Sequence, residues 1–269
     1  MRPSQSEHTL STTQQTTTAR LINRVPEVTL VFWILKILAT TVGETAADVL
    51  STTFKLGTVV TSYVMAAFLI VSLIFQFRAK RYVPPIYWIV VVFISVVGTL
   101  ISDNLVDNLG VPLATTTAIF TVALIAVFVF WYMSEKTLSV HTIFNAKREL
   151  FYWAAILFTF SLGTSGGDLL SERLNVGYAL SAVIFAAGIA IIFTLYRLKV
   201  MNGVLAFWLA YILTRPLGAS LGDLLTQAPA DGGLGLGTIP VSVVFLLTIV
   251  VLVIYLTKQE KKKVVSAVG

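Results

Sequence analysis

Long apolar runs broken by short polar connections set the pattern of this chain. Eight runs, over about 27–50, 57–77, 84–106, 111–133, 150–171, 176–196, 203–226 and 238–257, each approach or exceed the 20 or so apolar residues that carry a helix across a ~30 Å hydrocarbon core. The connections are short and rich in Gly, Pro or polar residues, too short to hold a soluble domain. The pattern predicts an all-α membrane protein, an eight-helix bundle over residues 25–257. Composition agrees: 57% of residues are hydrophobic, mean hydropathy is +0.87, and only 12% are charged, about half the share in a soluble domain. Residues 1–24 lack the apolar run of a signal peptide and, being rich in Ser, Thr and Gln, read as a disordered cytoplasmic tail. Residues 258–269 read as a basic cytoplasmic tail.

The charge distribution bears on topology. The net charge of +6 is no nucleic-acid signal, because the basic residues fall in short clusters between apolar runs. Both tails and the connections after spans two, four and six hold Arg2, Arg20, Arg24, Arg78, Lys80, Arg81, Lys136, Lys147, Arg148, Arg197, Lys199, Lys258, Lys261, Lys262 and Lys263. The other connections hold only Lys55 and Arg173. Basic residues stay on the cytoplasmic side, which puts both termini there. The expected partner along the spans is the lipid bilayer.

Four stretches then repeat one another: FWILKILATTVGETAADVL from Phe32, YWIVVVFISVVGTLISDNL from Tyr87, YWAAILFTFSLGTSGGDLL from Tyr152, and FWLAYILTRPLGASLGDLL from Phe207. Each is an aromatic residue, Trp, nine residues, Gly, four residues, Asp. The columns are Trp33, Trp88, Trp153, Trp208; Gly43, Gly98, Gly163, Gly218; and Asp48, Asp103, Asp168, Asp223. The chain is therefore a fourfold tandem array of a two-helix unit, over about 25–80, 81–136, 147–200 and 201–257. The Trp-to-Trp intervals are 55, 65 and 55, with the longer one holding an extended cytoplasmic connection around His141. Two spans per unit send every odd span the same way, so the repeats are parallel about an axis along the membrane normal. Four such units, each with its Trp, Gly and Asp, resemble a bacterial membrane-protein family defined by a repeat of unknown function. The resemblance covers roughly residues 25–257 and implies a multi-pass protein of the bacterial inner membrane, without implying an activity.

The three columns call for separate explanations. Tryptophan suits the headgroup layer, so Trp33, Trp88, Trp153 and Trp208 read as interfacial anchors. Four residues beyond each Gly stands another small residue, Ala47, Ser102, Gly167 or Gly222, which gives every odd span a face for close helix approach. The odd spans then cross near the axis, with the even spans outside. Each Asp lies 15 residues past its Trp, about 22 Å along a helix at 1.5 Å per residue, near the outer edge of the core. Four carboxylates in one register form either a structural network or an ion site.

Unit one adds Glu44 to Asp48 on one helical face, with Thr45 beside them, and unit three sets Thr164 beside Asp168. Thr99 and Ser102 accompany Asp103. Oxygen ligands of this kind suit protons and hard cations, and Glu44, Asp48 and Asp168 are the metal ligands such a site would use. With no Cys and only His8 and His141, thiolate and histidine-cage metal sites are excluded.

Two cations also lie within the spans. Arg215 needs an acid partner, for which Glu44 and the Asp column are the candidates. Pro216 beside it removes a helical hydrogen bond and predicts a kink. Lys36 either snorkels to the headgroups or sits on a pathway. The leading expectation is a secondary transporter of a small cation, with Glu44, Asp48, Asp103, Asp168, Asp223, Thr45 and Thr164 binding the ion and Arg215 and Lys36 compensating charge. The alternatives are a structural or regulatory membrane protein with a fixed Arg–Asp network, and a lipid-acting enzyme. The last is disfavoured by the lack of a histidine in the spans, a phosphate loop or a nucleophile elbow. No cofactor is expected.

Overall fold

The computed structural model describes residues 23–268. Among them are eight long α-helices: α1 (Leu30–Asp48), α2 (Thr58–Arg78), α3 (Pro84–Asp103), α4 (Leu113–Glu135), α5 (Ala146–Asp168), α6 (Tyr178–Arg197), α7 (Gly203–Thr226) and α8 (Thr238–Val268). Seven are long and apolar enough to cross a membrane. The exception is α5, which begins with Lys147, Arg148 and Glu149 and carries Thr159, Ser161, Thr164 and Ser165. Helix α8 continues through the basic tail segment.

Local signals fix the helix ends. Thr29, Asn145 and Asn202 each accept a bond from a backbone N–H in the first turn of α1, α5 and α7, and Pro84 opens α3 where no N–H is needed. Gly57 and Gly177 precede α2 and α6 with φ of 74° and 79°, a conformation that favours glycine. A single π-helical turn follows Asp48, Asp103 and Asp168, over Val49–Thr53, Asn104–Asn108 and Leu169–Arg173, whereas α7 stays α-helical past Asp223. The spacing of residues gave no sign of these wider turns. Helix α7 also runs unbroken through Pro216.

The odd helices form a closed ring in the order α1, α3, α5, α7, and each even helix packs on the odd helix that follows it: α2 on α3, α4 on α5, α6 on α7, and α8 back on α1. Equivalent residues meet around this cycle. A Cβ on Gly43 would overlap Ser95, and one on Gly98, Gly163 or Gly218 would overlap Phe160, Arg215 or Thr40 respectively. Those four partners occupy one position, three residues before the next unit's Gly. The second small position is looser, since a Cβ on Gly222 would sit 3.4 Å from Glu44. The tightest crossing is thus at the Gly column itself.

One end of the ring is aromatic. Phe32 meets Trp88, Tyr87 meets Trp153, Tyr152 meets Trp208 and Phe207 meets Trp33, with ring centroids 5.4–6.1 Å apart. Trp88, Trp153 and Trp208 are only 1–3% exposed, and Trp33 is half-buried. The interfacial-anchor expectation is therefore corrected for Trp88, Trp153 and Trp208, whose indoles are buried in the ring at tilted angles against the preceding unit's aromatic residue, while Trp33 is only half-buried.

The same end is capped by two segments. Residues 23–29 run from α5 to the head of α1, which lies diagonally opposite α5 in the ring. Asn23 bonds Val140 and Ile143, the Arg24 N–H donates to Ile143 O at 3.0 Å, and Arg24 Nη1 donates to Glu149 at 2.7 Å. Residues 136–145 run beside them, and Leu138 O accepts from Trp208 Nε1 at 2.9 Å. The ten extra residues between units two and three belong to this cap, and Val25, Val140 and Ile143 are buried in the core. Asn23 and Arg24 thus belong to the folded unit, a correction to the tail ending at residue 24; residues 1–22 of that expected tail lie outside the described residues.

Gly218→Val is expected to lower the melting temperature and yield of folded protein in detergent, since overpacking such a contact costs about 1–3 kcal/mol. Gly222→Ala is expected to melt close to the parent. Equal melting of the two variants would contradict the glycine crossing.

Candidate functional site

Inside the ring, one guanidinium joins all four units. The residues that follow the four glycines are Glu44, Thr99, Thr164 and Ala219. Arg215 Nη2 shares its two N–H groups among three acceptors, Glu44 Oε2 at 2.7 Å, Thr164 Oγ1 at 2.7 Å and Thr99 Oγ1, while Nε and Nη1 are buried without a partner. Ala219 is the fourth member of that level, and its methyl leaves the corner to the guanidinium. The two hydroxyls are oriented for acceptance, because Thr99 and Thr164 donate to their own helices, at Ser95 O and Phe160 O, both 3.2 Å away. Arg215 is fully buried, and its Cβ and Cγ lie over Gly163, where any side chain would displace them.

Lys36 is the second interior cation. It too is fully buried, so it does not snorkel. Its ammonium stands 4.0 Å from the Phe160 ring centre and 4.2 Å from that of Tyr211, with no hydrogen-bond partner. Attraction to the two ring faces takes the place of a carboxylate. Tyr87 and Tyr152, on neighbouring helices, share a 2.5 Å hydroxyl–hydroxyl bond.

Beyond Glu44 lie the four aspartates. Glu44 is within electrostatic reach of Asp48, Asp103, Asp168 and Asp223, so the column forms an acidic end to the ring. None of the four carboxylates has a hydrogen bond or ion pair among the described residues, and none of their oxygens is sealed from the surface. At this end Asp48, Asp103 and Asp168 are partly exposed and Asp223 is buried.

The expected site is assembled only in part. Arg215, Glu44 and Thr164 come together, and the aspartates stand beyond them. Thr45 does not join: its hydroxyl bonds Ser242 of α8 at 2.7 Å and holds α8 to α1. Among the described residues no three His, Cys, Asp or Glu side chains converge closely enough to hold a metal ion, so Glu44, Asp48 and Asp168 do not form the expected ligand set. One buried acid escaped sequence reasoning. Glu149 is fully buried at the aromatic end, bonded to Arg24 and, at 2.8 Å, to Gln76 Nε2. Its place between Arg148 and Leu150 at the start of α5 carries no local sign of burial.

Four copies of a two-helix unit, closed into a ring with charged side chains inside, make this an all-helical tandem-repeat protein with span-length apolar helices. Each copy matches the family described as Repeat of Unknown Function (DUF347), at residues 31–82, 86–137, 151–199 and 206–262, and the chain belongs to that family. No curated protein and no solved structure matches it.

Removing one partner of a buried ion pair leaves a bare charge, typically at about 3–5 kcal/mol. Arg215→Ala is therefore expected to lower thermal stability strongly, and Glu44→Gln is expected to recover part of that loss in the double mutant. A double-mutant cycle on melting in detergent measures the coupling. Simple additivity would show that the pair does not act as one.

Proposed function

We propose that this protein is a secondary transporter of a small cation in the bacterial inner membrane. In this reading all eight helices cross the bilayer, the four units run the same way, and both termini are cytoplasmic. The carrying observation is the acidic end: four aspartates with no hydrogen bond or ion pair among the described residues stand beyond the buried Glu44–Arg215 pair. Charged residues inside membrane bundles are expensive and tend to mark ion paths, and an apolar core would hold four helices together without them.

The arrangement favours a carrier over a channel. The aspartates concentrate cations at the outer mouth, and a cation that reaches Glu44 competes with Arg215 for its carboxylate. Deeper in, the positive charge of Arg215 lies beside Glu44, which opposes continuous cation flow. The capped aromatic end adds a physical block. Passage then requires the capped end to open, as alternating access demands. A second reading, a fixed structural network, draws on the three bonds that hold Arg215 in place.

The test is flux into proteoliposomes, with protons, Na⁺, Mg²⁺, Ca²⁺ and Mn²⁺ each driven by its own gradient. The transport reading expects flux of at least one of them, and a loss of more than about tenfold in Asp103→Asn and Asp168→Asn with melting unchanged. A fixed network expects no flux for any cation. Because the chain has no native cysteine, orientation can be read on single-cysteine variants. Cysteines replacing Lys55, Asp107 and Asp231 are expected to react with an impermeant thiol reagent from outside, and one replacing His141 from the cytoplasm only. The reverse labelling would invert the proposed topology.

A further inference from the structure

Among the even helices, α6 departs from repeat symmetry beside a cleft. Helices α2, α4 and α6 each begin 26 residues after the aromatic residue that precedes their unit's Trp, so positions along them can be equated. In α4, Phe128 and Trp131 fold inward onto Trp208, with centroids at 4.9 and 5.7 Å. The same positions in α2 are Leu73 and Gln76. Leu73 packs on the core and Gln76 is fully buried. In α6 they are Phe193 and Tyr196, which are 60% and 47% exposed. Helix α6 packs on α7 but leaves these two aromatic side chains exposed, and Trp33, the indole they would cover, is the half-buried one of the four.

The space left is a cleft of about 1120 Å³ between α1, α6 and α7. Its walls are apolar, from Leu30 and Trp33, Ala190 and Phe193, and Phe207 and Ala210. Its polar residues, Thr29, Ser139, His141 and Asn202, all come from the capped aromatic end. The connection that joins α6 to α7 there carries Arg197 and Lys199, both exposed, and the Arg197 guanidinium lies 6.0 Å from the centre of the cleft-lining Phe193 ring. An apolar trough that ends in basic and polar side chains matches an amphiphile with apolar chains and an anionic head.

We propose that this cleft is a binding site for one anionic phospholipid, with its acyl chains against Trp33, Ala190 and Phe193 and its phosphate toward Arg197, Lys199 and His141. Ala190 and Phe193 on its α6 wall are exposed on the outside of the ring, so a lipid reaches the cleft without opening the ring. Basic side chains near a headgroup attract anionic lipid, which gives the site its preference for an anionic head. The site is independent of the transport reading.

Trp33 supplies a built-in reporter, since the other four tryptophans are at most 3% exposed. Full-length protein in detergent is titrated with phosphatidylglycerol carrying brominated chains, and separately with phosphatidylcholine carrying the same chains, while tryptophan fluorescence is read. Saturable quenching by phosphatidylglycerol is expected, at a half-saturation at least roughly tenfold below that of phosphatidylcholine. Trp33→Phe is expected to abolish most of that quenching. Ala190→Phe, a change on an exposed wall, should shift half-saturation upward by a similar factor, and Arg197→Gln with Lys199→Gln should erase the difference between the two lipids. Quenching that persists in Trp33→Phe, or that is equal for both lipids in the parent, would overturn the proposal. Native mass spectrometry of the parent and Ala190→Phe gives a second measure: one retained phosphatidylglycerol in the parent only supports the site, and equal retention overturns it.

Discussion

The close approach of four helices at four glycines is the constraint on which the interior depends. With a side chain at Gly43, Gly98, Gly163 or Gly218 the next helix could not seat, because Ser95, Phe160, Arg215 or Thr40 already fills that space. The ring that results is narrow enough for one arginine on α7 to touch acceptors on α1, α3 and α5 at once. A wider ring would leave the same residues too far apart to bond, and their charges would need water. Helix packing and interior chemistry are thus two results of one spacing rule.

Charge is distributed unevenly along that narrow interior. The capped end holds indoles and phenols, the middle holds Lys36 and the Arg215–Glu44 pair, and the far end holds aspartates. A neutral ring of Thr and Ser would have been less costly, given how hydroxyls here satisfy themselves on carbonyls one turn back. The departure from fourfold equivalence is concentrated in a few substitutions: Arg215 where the others have Thr40, Ser95 and Phe160, Glu44 where the others have Thr99, Thr164 and Ala219, and Lys36 where unit four has Tyr211. Duplication made the frame, and these exceptions give it polarity across the ring as well as along it.

Much of this was legible in the sequence, for identifiable reasons. Helix positions follow from apolar length, the repeat from the rarity of Trp and Asp in such spans, and the Arg215–Glu44 pair from the cost of leaving either alone. The tryptophans were misread because a Trp near a helix end suits a headgroup layer and an aromatic ring equally, and the order of helices around the axis, which decides between them, is not a local property. Thr45 was misassigned for a related reason: one helix face points to the axis and the next to α8, and periodicity alone does not say which is which. The π turns after three aspartates leave no mark in residue spacing. The folded role of Asn23 and Arg24 was hidden by a polar, low-complexity segment before them.

The pairing of Glu44 with Arg215 joins residues 171 positions apart, and this sets a schedule for biosynthesis. A ribosome adding about 5–20 residues per second needs on the order of 10–30 s to make that stretch. Through that interval the first helix carries an acid whose permanent partner does not yet exist, and the face of α1 that α8 will cover is bare as well. Until the seventh helix arrives, that acid has to be kept solvated by other groups. A protein whose ring closes last with first is committed to late assembly.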